Sequence, residues 1–91
     1  MILDEISTAL NRMGFPNKVV GNTIEATIPL PYSPEYVQPS FKIHYSPEQK
    51  ILVYQPNRHS TQKMLRNLEL QLENLAKENG LVLIISGTIP I

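Results

Sequence analysis

The side chains best suited to binding chemistry are four cationic or ionisable groups in the second half of the chain. Arg58, His59, Lys63 and Arg66 follow one another without an intervening acidic residue. In a helix the last three share one face, because they are four and three residues apart. Cations beside the free N–H groups of a helix N-terminus can hold an anion. The pattern predicts binding of nucleic acid, a nucleotide or a phosphate-bearing ligand; the alternative is a solvent-exposed face whose cations pair with acids such as Glu25.

Catalytic and metal chemistry find little support in the sequence. The chain has no cysteine, which excludes disulfides, thiolate metal sites and cysteine nucleophiles. Its two histidines, His44 and His59, are predicted on different elements and lack the spacing of a metal-binding pair. Glycine-rich phosphate loops, the serine nucleophile elbow and the HExxH motif are absent. We expect no catalytic residues, cofactor or metal; an enzyme acting on a phosphorylated ligand at the cationic face is a weaker option.

Partner binding is the chemistry that the segment 29–39, PLPYSPEYVQP, favours. Its prolines preclude a regular helix or strand and predict an extended, polyproline-like connection. Tyr32 and Tyr36 would stand on a stiff backbone, where an aromatic anchor loses little entropy on binding. We predict both as contacts for a protein partner; the alternative is an ordered connection whose tyrosines lie on the domain's own surface.

A long helix predicted over residues 57–79 organises the rest of the chain. Its apolar residues recur at three- and four-residue steps and form one stripe. They are Met64, Leu65, Leu68, Leu72, Leu75 and Ala76. Asn57 or Ser60 suits the N-cap, and Gly80 suits the left-handed position after the last turn. Leu70 lies off the stripe among charged residues, so it is either a single exposed leucine or a contact for a partner.

The other apolar patterns predict a shorter helix and five strands. The helix covers 2–13 and ends at Gly14; the strands cover 18–20, 23–28, 40–45, 51–54 and 81–86. Gly21-Asn22 is typical of a two-residue hairpin turn of the II′ kind. Residues 46–49, with Pro47 in its favoured place, predict a second turn between the third and fourth strands.

The last three elements read as a crossover between parallel strands. We therefore predict one α+β domain, residues 1–91, in the order α-β-β-β-β-α-β: a mixed sheet of about five strands, with one short and one long helix on one face. The last strand is apolar on both sides, although the helices cover one face only. Either the segment 29–39 or a second copy of the chain must cover the other side. The second option predicts a homodimer, with Ile84 as part of the core.

Composition limits the function further. The chain has 91 residues, 42% of them apolar, which suits one folded domain rather than a disordered chain. Zero net charge argues against nucleic-acid or membrane binding by the whole surface. No apolar run approaches the ~20 residues that span a bilayer, and acids occupy the N-terminus where a signal peptide would carry bases. We expect a cytoplasmic protein.

Two families share the element order in outline. Residues 57–63 read NRHSTQK at the start of the second helix, after a leading helix and strands. This order resembles the double-stranded-RNA-binding domain, whose second helix has a lysine-rich start that this chain lacks. The opening helix, glycine and strand are similar to type III secretion chaperones, which implies a dimeric adaptor. No single residue is diagnostic, so neither family is assigned.

Taken together, these patterns favour a small, non-catalytic, cytoplasmic protein-interaction module with an adaptor or regulatory role. We expect it to form a homodimer or to bind another protein, with Tyr32, Tyr36 and Leu70 as contacts. The alternative function is the binding of nucleic acid or an anionic ligand by the cationic start of the long helix.

Overall fold

The computed structural model describes residues 2–27, 40–56 and 62–86, with side chains in the last range from residue 66 onward. These residues form two helices and five strands. In chain order they are α1 (Ile2–Arg12), β1 (Asn17–Val20), β2 (Thr23–Thr27), β3 (Ser40–Ser46), β4 (Ile51–Gln55), α2 (Gln62–Glu78) and β5 (Val82–Ile85). The predicted element order and α+β class are confirmed, while residues 57–61 of the predicted long helix lie outside the described residues.

The five strands lie in the sheet in the order in which they occur in the chain. Strands β1 to β4 are antiparallel to their neighbours, whereas β5 pairs with β4 in parallel. A parallel neighbour requires a crossover connection, and α2 supplies it. Within the described residues, β1 and β5 are therefore the two edges of a mixed sheet.

Both helices end in the same local motif. At α1, the Phe15 N–H donates to Leu10 O at 2.9 Å, around Gly14 with φ 84°. At α2, the Leu81 N–H donates to Ala76 O at 2.8 Å, around Gly80 with φ 69°. This is the Schellman arrangement, which satisfies helix carbonyls that would otherwise lack a partner. The predicted C-terminal glycines of both helices are thereby confirmed.

The core lies between one face of the sheet and both helices. The α2 stripe is confirmed where side chains are described, since Leu68, Leu72 and Ala76 are buried. Alternating strand residues meet this stripe and the buried face of α1. They are Ile24, Ala26, Phe41, Ile43, Leu52 and Tyr54. Their side chains define the covered face of the sheet, as the period of two in β-strands requires.

The two hairpin turns differ from each other in backbone strain. Gly21 has φ 61° and follows the prediction of a II′ turn. The turn between β3 and β4 occupies residues 47–50, one residue later than predicted, and Lys50 adopts φ 55°. A side chain in this left-handed region costs about 1–2 kcal/mol. The sequence pattern did not indicate this strain at Lys50.

Candidate functional site: an exposed apolar strip at one edge of the sheet

The second face of the sheet is polar on one side and apolar on the other. We call it the open face, because in the described part of the chain both helices pack against the opposite face. A row of charges crosses its first three strands: Glu25 lies between Lys18, at 3.5 Å, and Lys42, at 3.8 Å. These side chains are well exposed, so solvent weakens the ion pairs. Glu25, which the sequence offered as a partner for the cations of the long helix, thus pairs with lysines of the neighbouring strands.

A second row runs the full width of the open face. The strand register places Val20, Thr23, His44, Val53 and Ile84 side by side in that order. The Thr23 hydroxyl and His44 Nδ1 lie 2.9 Å apart, so this row changes from polar to apolar between β3 and β4. His44 is exposed, as predicted.

The apolar side of the open face is a block of four residues that we call the edge strip. It consists of Ile51 and Val53 on β4, paired with Val82 and Ile84 on β5. The β4 pair is half-buried, but Val82 is 62% and Ile84 43% exposed. Ile84 was predicted in the core, and that prediction is wrong. Its strand, β5, is at the edge of the sheet, so among the described residues only β4 lies next to it.

The outer side of β5 carries backbone groups that no other described strand binds. The N–H groups of Val82 and Ser86 donate inward to β4, to Lys50 O at 3.0 Å and to Tyr54 O at 2.9 Å. In a parallel ladder alternate residues point the same way, so the N–H and C=O groups of Leu83 and Ile85 point away from β4. Within the described residues nothing pairs with these four groups, because β5 is the end of the strand order.

The two edges of the sheet differ in how they are protected. Edge strands usually carry charges, above all lysine, that discourage pairing with another chain. The edge strand β1 has Lys18, held against Glu25. The edge strand β5 reads Val-Leu-Ile-Ile and carries no charge. Ile85 adds to its apolar character, since it is 48% exposed although it lies on the covered face opposite Tyr54.

The structure describes only some of the residues predicted to bind partners or anions. Leu70 is 55% exposed on the outer side of α2, and Arg66 is also exposed. Lys63 belongs to α2 three residues before Arg66, as the predicted cationic face requires, but its side chain is outside the described residues. Also outside them are Tyr32, Tyr36, Arg58 and His59. The predicted partner and anion sites therefore stay predictions. The edge strip is a further site, which the sequence pattern indicated only as an uncovered strand.

Two further features of the described residues are a groove between the helices and a buried hydroxyl. A groove of about 500 Å³ between the helices is lined by Asp4, Glu5, Thr8, Ala9, Arg12, Gln71, Asn74, Leu75 and Glu78. Most of these residues are exposed, and the acids of the groove lie together with one arginine on a solvated helix surface.

The second feature is the Tyr54 side chain, which is completely buried and whose hydroxyl has no hydrogen-bond partner among the described residues. Burial raises the pKa of Tyr54, and the charge of Glu69 raises it further.

Metal binding and membrane crossing were tested against the geometry of the described residues. No three His, Cys, Asp or Glu side chains among them are placed to hold a metal ion. No helix in the described ranges has the length and apolarity to cross a bilayer. No protein-family model matches the chain, and neither a curated protein nor a solved structure matches it significantly.

Proposed function

We propose that this chain is a small, non-catalytic protein-interaction module whose contact surface is the edge strip, and that it works as a homodimer. The observation that carries the proposal is the exposure of Val82 and Ile84 beside Ile51 and Val53 on one edge of the sheet. Single exposed apolar residues are ordinary, whereas a contiguous exposed apolar patch marks an interaction surface. The edge strip is such a patch, because its four residues are direct neighbours in the strand register.

Two further properties support self-association. The net charge of zero means that two copies do not repel each other. The charged row of the open face lies on the first three strands, away from β5, so the edge strip meets a partner without desolvating an ion pair. The lack of cysteine suits a reducing compartment, and we place the module in the cytoplasm.

Mass as a function of concentration tests this function. Light scattering or sedimentation of the full chain should show a dimer that dissociates on dilution. Val82→Lys should shift the population to the monomer, because a lysine there places two charges in the contact. The matched control is Leu70→Lys, which adds the same charge at a similarly exposed apolar residue on α2, away from the strip.

Three outcomes decide the proposal. A dimer lost in Val82→Lys and kept in Leu70→Lys supports the edge strip. The reverse result would move the interface to the outer side of α2. A monomer at every concentration would refute the homodimer.

The alternative function, anion or nucleic-acid binding at the start of α2, stays a prediction from the sequence. Of its residues, Arg66 alone has a described side chain, and it is exposed. The role of Tyr32 and Tyr36 as partner contacts stays a prediction as well.

A further inference from the structure

We propose that the second copy pairs with β5 along its free edge, antiparallel, about a two-fold axis at Ile84. The two five-stranded sheets would then form one continuous sheet of ten strands. This inference rests on the proposed function, because it names the partner and the geometry of the contact at the edge strip. It adds a register, which can be tested residue by residue.

The backbone groups on the outer side of β5, which no described residue binds, select the register. Leu83 and Ile85 carry the outward N–H and C=O groups of β5. An antiparallel pair centred on Ile84 places Leu83 opposite Ile85 of the partner subunit and Ile85 opposite Leu83 of the partner subunit, which satisfies all four groups of each copy. Centring on Leu83 instead would place Leu81 opposite Ile85, but the Leu81 N–H already donates to Ala76 O at 2.8 Å.

The side chains agree with this register. Residues directly opposite each other in an antiparallel pair lie on the same face of the sheet. Ile84 would therefore meet its own copy on the open face, in the non-hydrogen-bonded position where Cα atoms approach to about 4.5 Å. The two edge strips then join into one apolar band across the centre of the ten-stranded sheet.

A second copy fits this edge better than an unrelated protein for reasons of charge and symmetry. A strand that pairs with itself must be complementary to its own sequence, and Val82–Ile85 has no charge that could meet its like. The other edge, β1, carries the charge of Lys18, and a lysine on an edge strand discourages pairing with another chain. Four residues of strand are a small contact compared with the ~800 Å² per partner of a standard interface. The pairing should therefore be reversible on dilution.

Cysteine cross-linking tests the register directly, because the chain has no cysteine of its own. Ile84→Cys places two thiols opposite each other, and the ~4.5 Å between their Cα atoms falls within the range that a disulfide spans. Val82→Cys is the first control, since four residue steps at ~3.4 Å keep its two copies about 14 Å apart along the strand. Val20→Cys is the second, a similarly exposed valine on the open face of the other edge strand.

After oxidation with copper phenanthroline, Ile84→Cys should give at least about tenfold more covalent dimer than either control, because only its geometry permits the bond. Equal cross-linking of all three would mean random collision and would overturn the register. A reversible dimer in the mass measurement without Ile84→Cys cross-linking would overturn edge pairing and leave the proposed function standing. A monomer throughout would refute both.

A second test uses Ile84→Lys and separates loss of the dimer from loss of the fold. Circular dichroism measures its thermal unfolding, and light scattering measures its mass. A folded monomer supports the pairing if its melting temperature equals that of the wild type at a dilution where the wild type is monomeric, because Ile84 is exposed in the single chain. A still dimeric variant would overturn it. A variant that melts earlier than the monomeric wild type would assign the strip to cover by the segment 29–39 of the same chain, and would also overturn it.

Discussion

Replacing Tyr54 by phenylalanine should stabilise this protein, although tyrosine hydroxyls in cores usually contribute to stability. The Tyr54 ring belongs to an aromatic cluster, with its centroid 5.9 Å from that of Phe41 in an edge-to-face contact. Its hydroxyl, however, is buried and has no hydrogen-bond partner among the described residues. Tyr54→Phe keeps the ring contact and removes the unsatisfied group.

The size of the effect follows from the cost of burying that group. An unpaired buried hydroxyl costs roughly 1–3 kcal/mol in proteins. Part of this gain is offset by the small void that the missing oxygen leaves. We expect the free energy of unfolding to rise by about 1 kcal/mol, which for a domain of this size raises Tm by roughly 4–8 °C.

The pH dependence of the same variant gives an independent measurement. The pKa of Tyr54 is raised by burial and by Glu69, while in the unfolded chain a tyrosine ionises near pH ~10. Above that pH the unfolded state has lost the proton and the folded state keeps it, so stability falls as pH rises, by about 1.4 kcal/mol per pH unit. Below that pH both states keep the proton, so none of this stability is lost. Tyr54→Phe should remove this alkaline loss.

Urea unfolding of both proteins between neutral and alkaline pH measures both effects. Tyr45→Phe is the control, because Tyr45 lies on the same face of the neighbouring strand but is partly exposed; its change should stay within about 0.5 kcal/mol. A loss of 1 kcal/mol or more in Tyr54→Phe would show that the hydroxyl has a partner, and the reasoning would be wrong.

Two backbone predictions form a matched pair at left-handed positions. Lys50→Gly should raise the free energy of unfolding by up to about 1 kcal/mol, since glycine removes the strain at φ 55° and gives back part of the gain as backbone entropy. A loss of stability on thermal unfolding would contradict this. Gly80→Ala should lower it by about 1–2 kcal/mol although the added Cβ meets nothing within 4 Å, because the cost is in the backbone at φ 69°. An unchanged Tm there would show that the helix end relaxes to another conformation.

The parts of the fold that were predictable are those determined by neighbours in sequence. The α2 stripe, the glycines that end both helices and the alternation of β2 depend on residues a few positions apart. These patterns are also the ones that a single sequence displays most directly.

The parts that were not predictable depend on long-range pairing. Ile84 was predicted in the core because an apolar strand resembles a central one, and only the strand order shows that β5 is an edge. The pairing of Glu25 with Lys18 and Lys42 likewise needs the register of three strands. The apolar residues on both sides of β5 did predict an uncovered apolar surface, and the edge strip includes that surface.

The crossover has a consequence for how the chain matures. Synthesis proceeds from the N-terminus, so β4 is complete while α2 and β5 do not yet exist. During that interval β4 is itself the last strand, and the groups of Lys50 and Tyr54 that will accept from β5 have no strand to bind. An apolar edge of this kind is a template for aggregation. The strand β5 thus covers the edge of β4 that is exposed during synthesis, and its own outer side becomes the edge of the finished sheet.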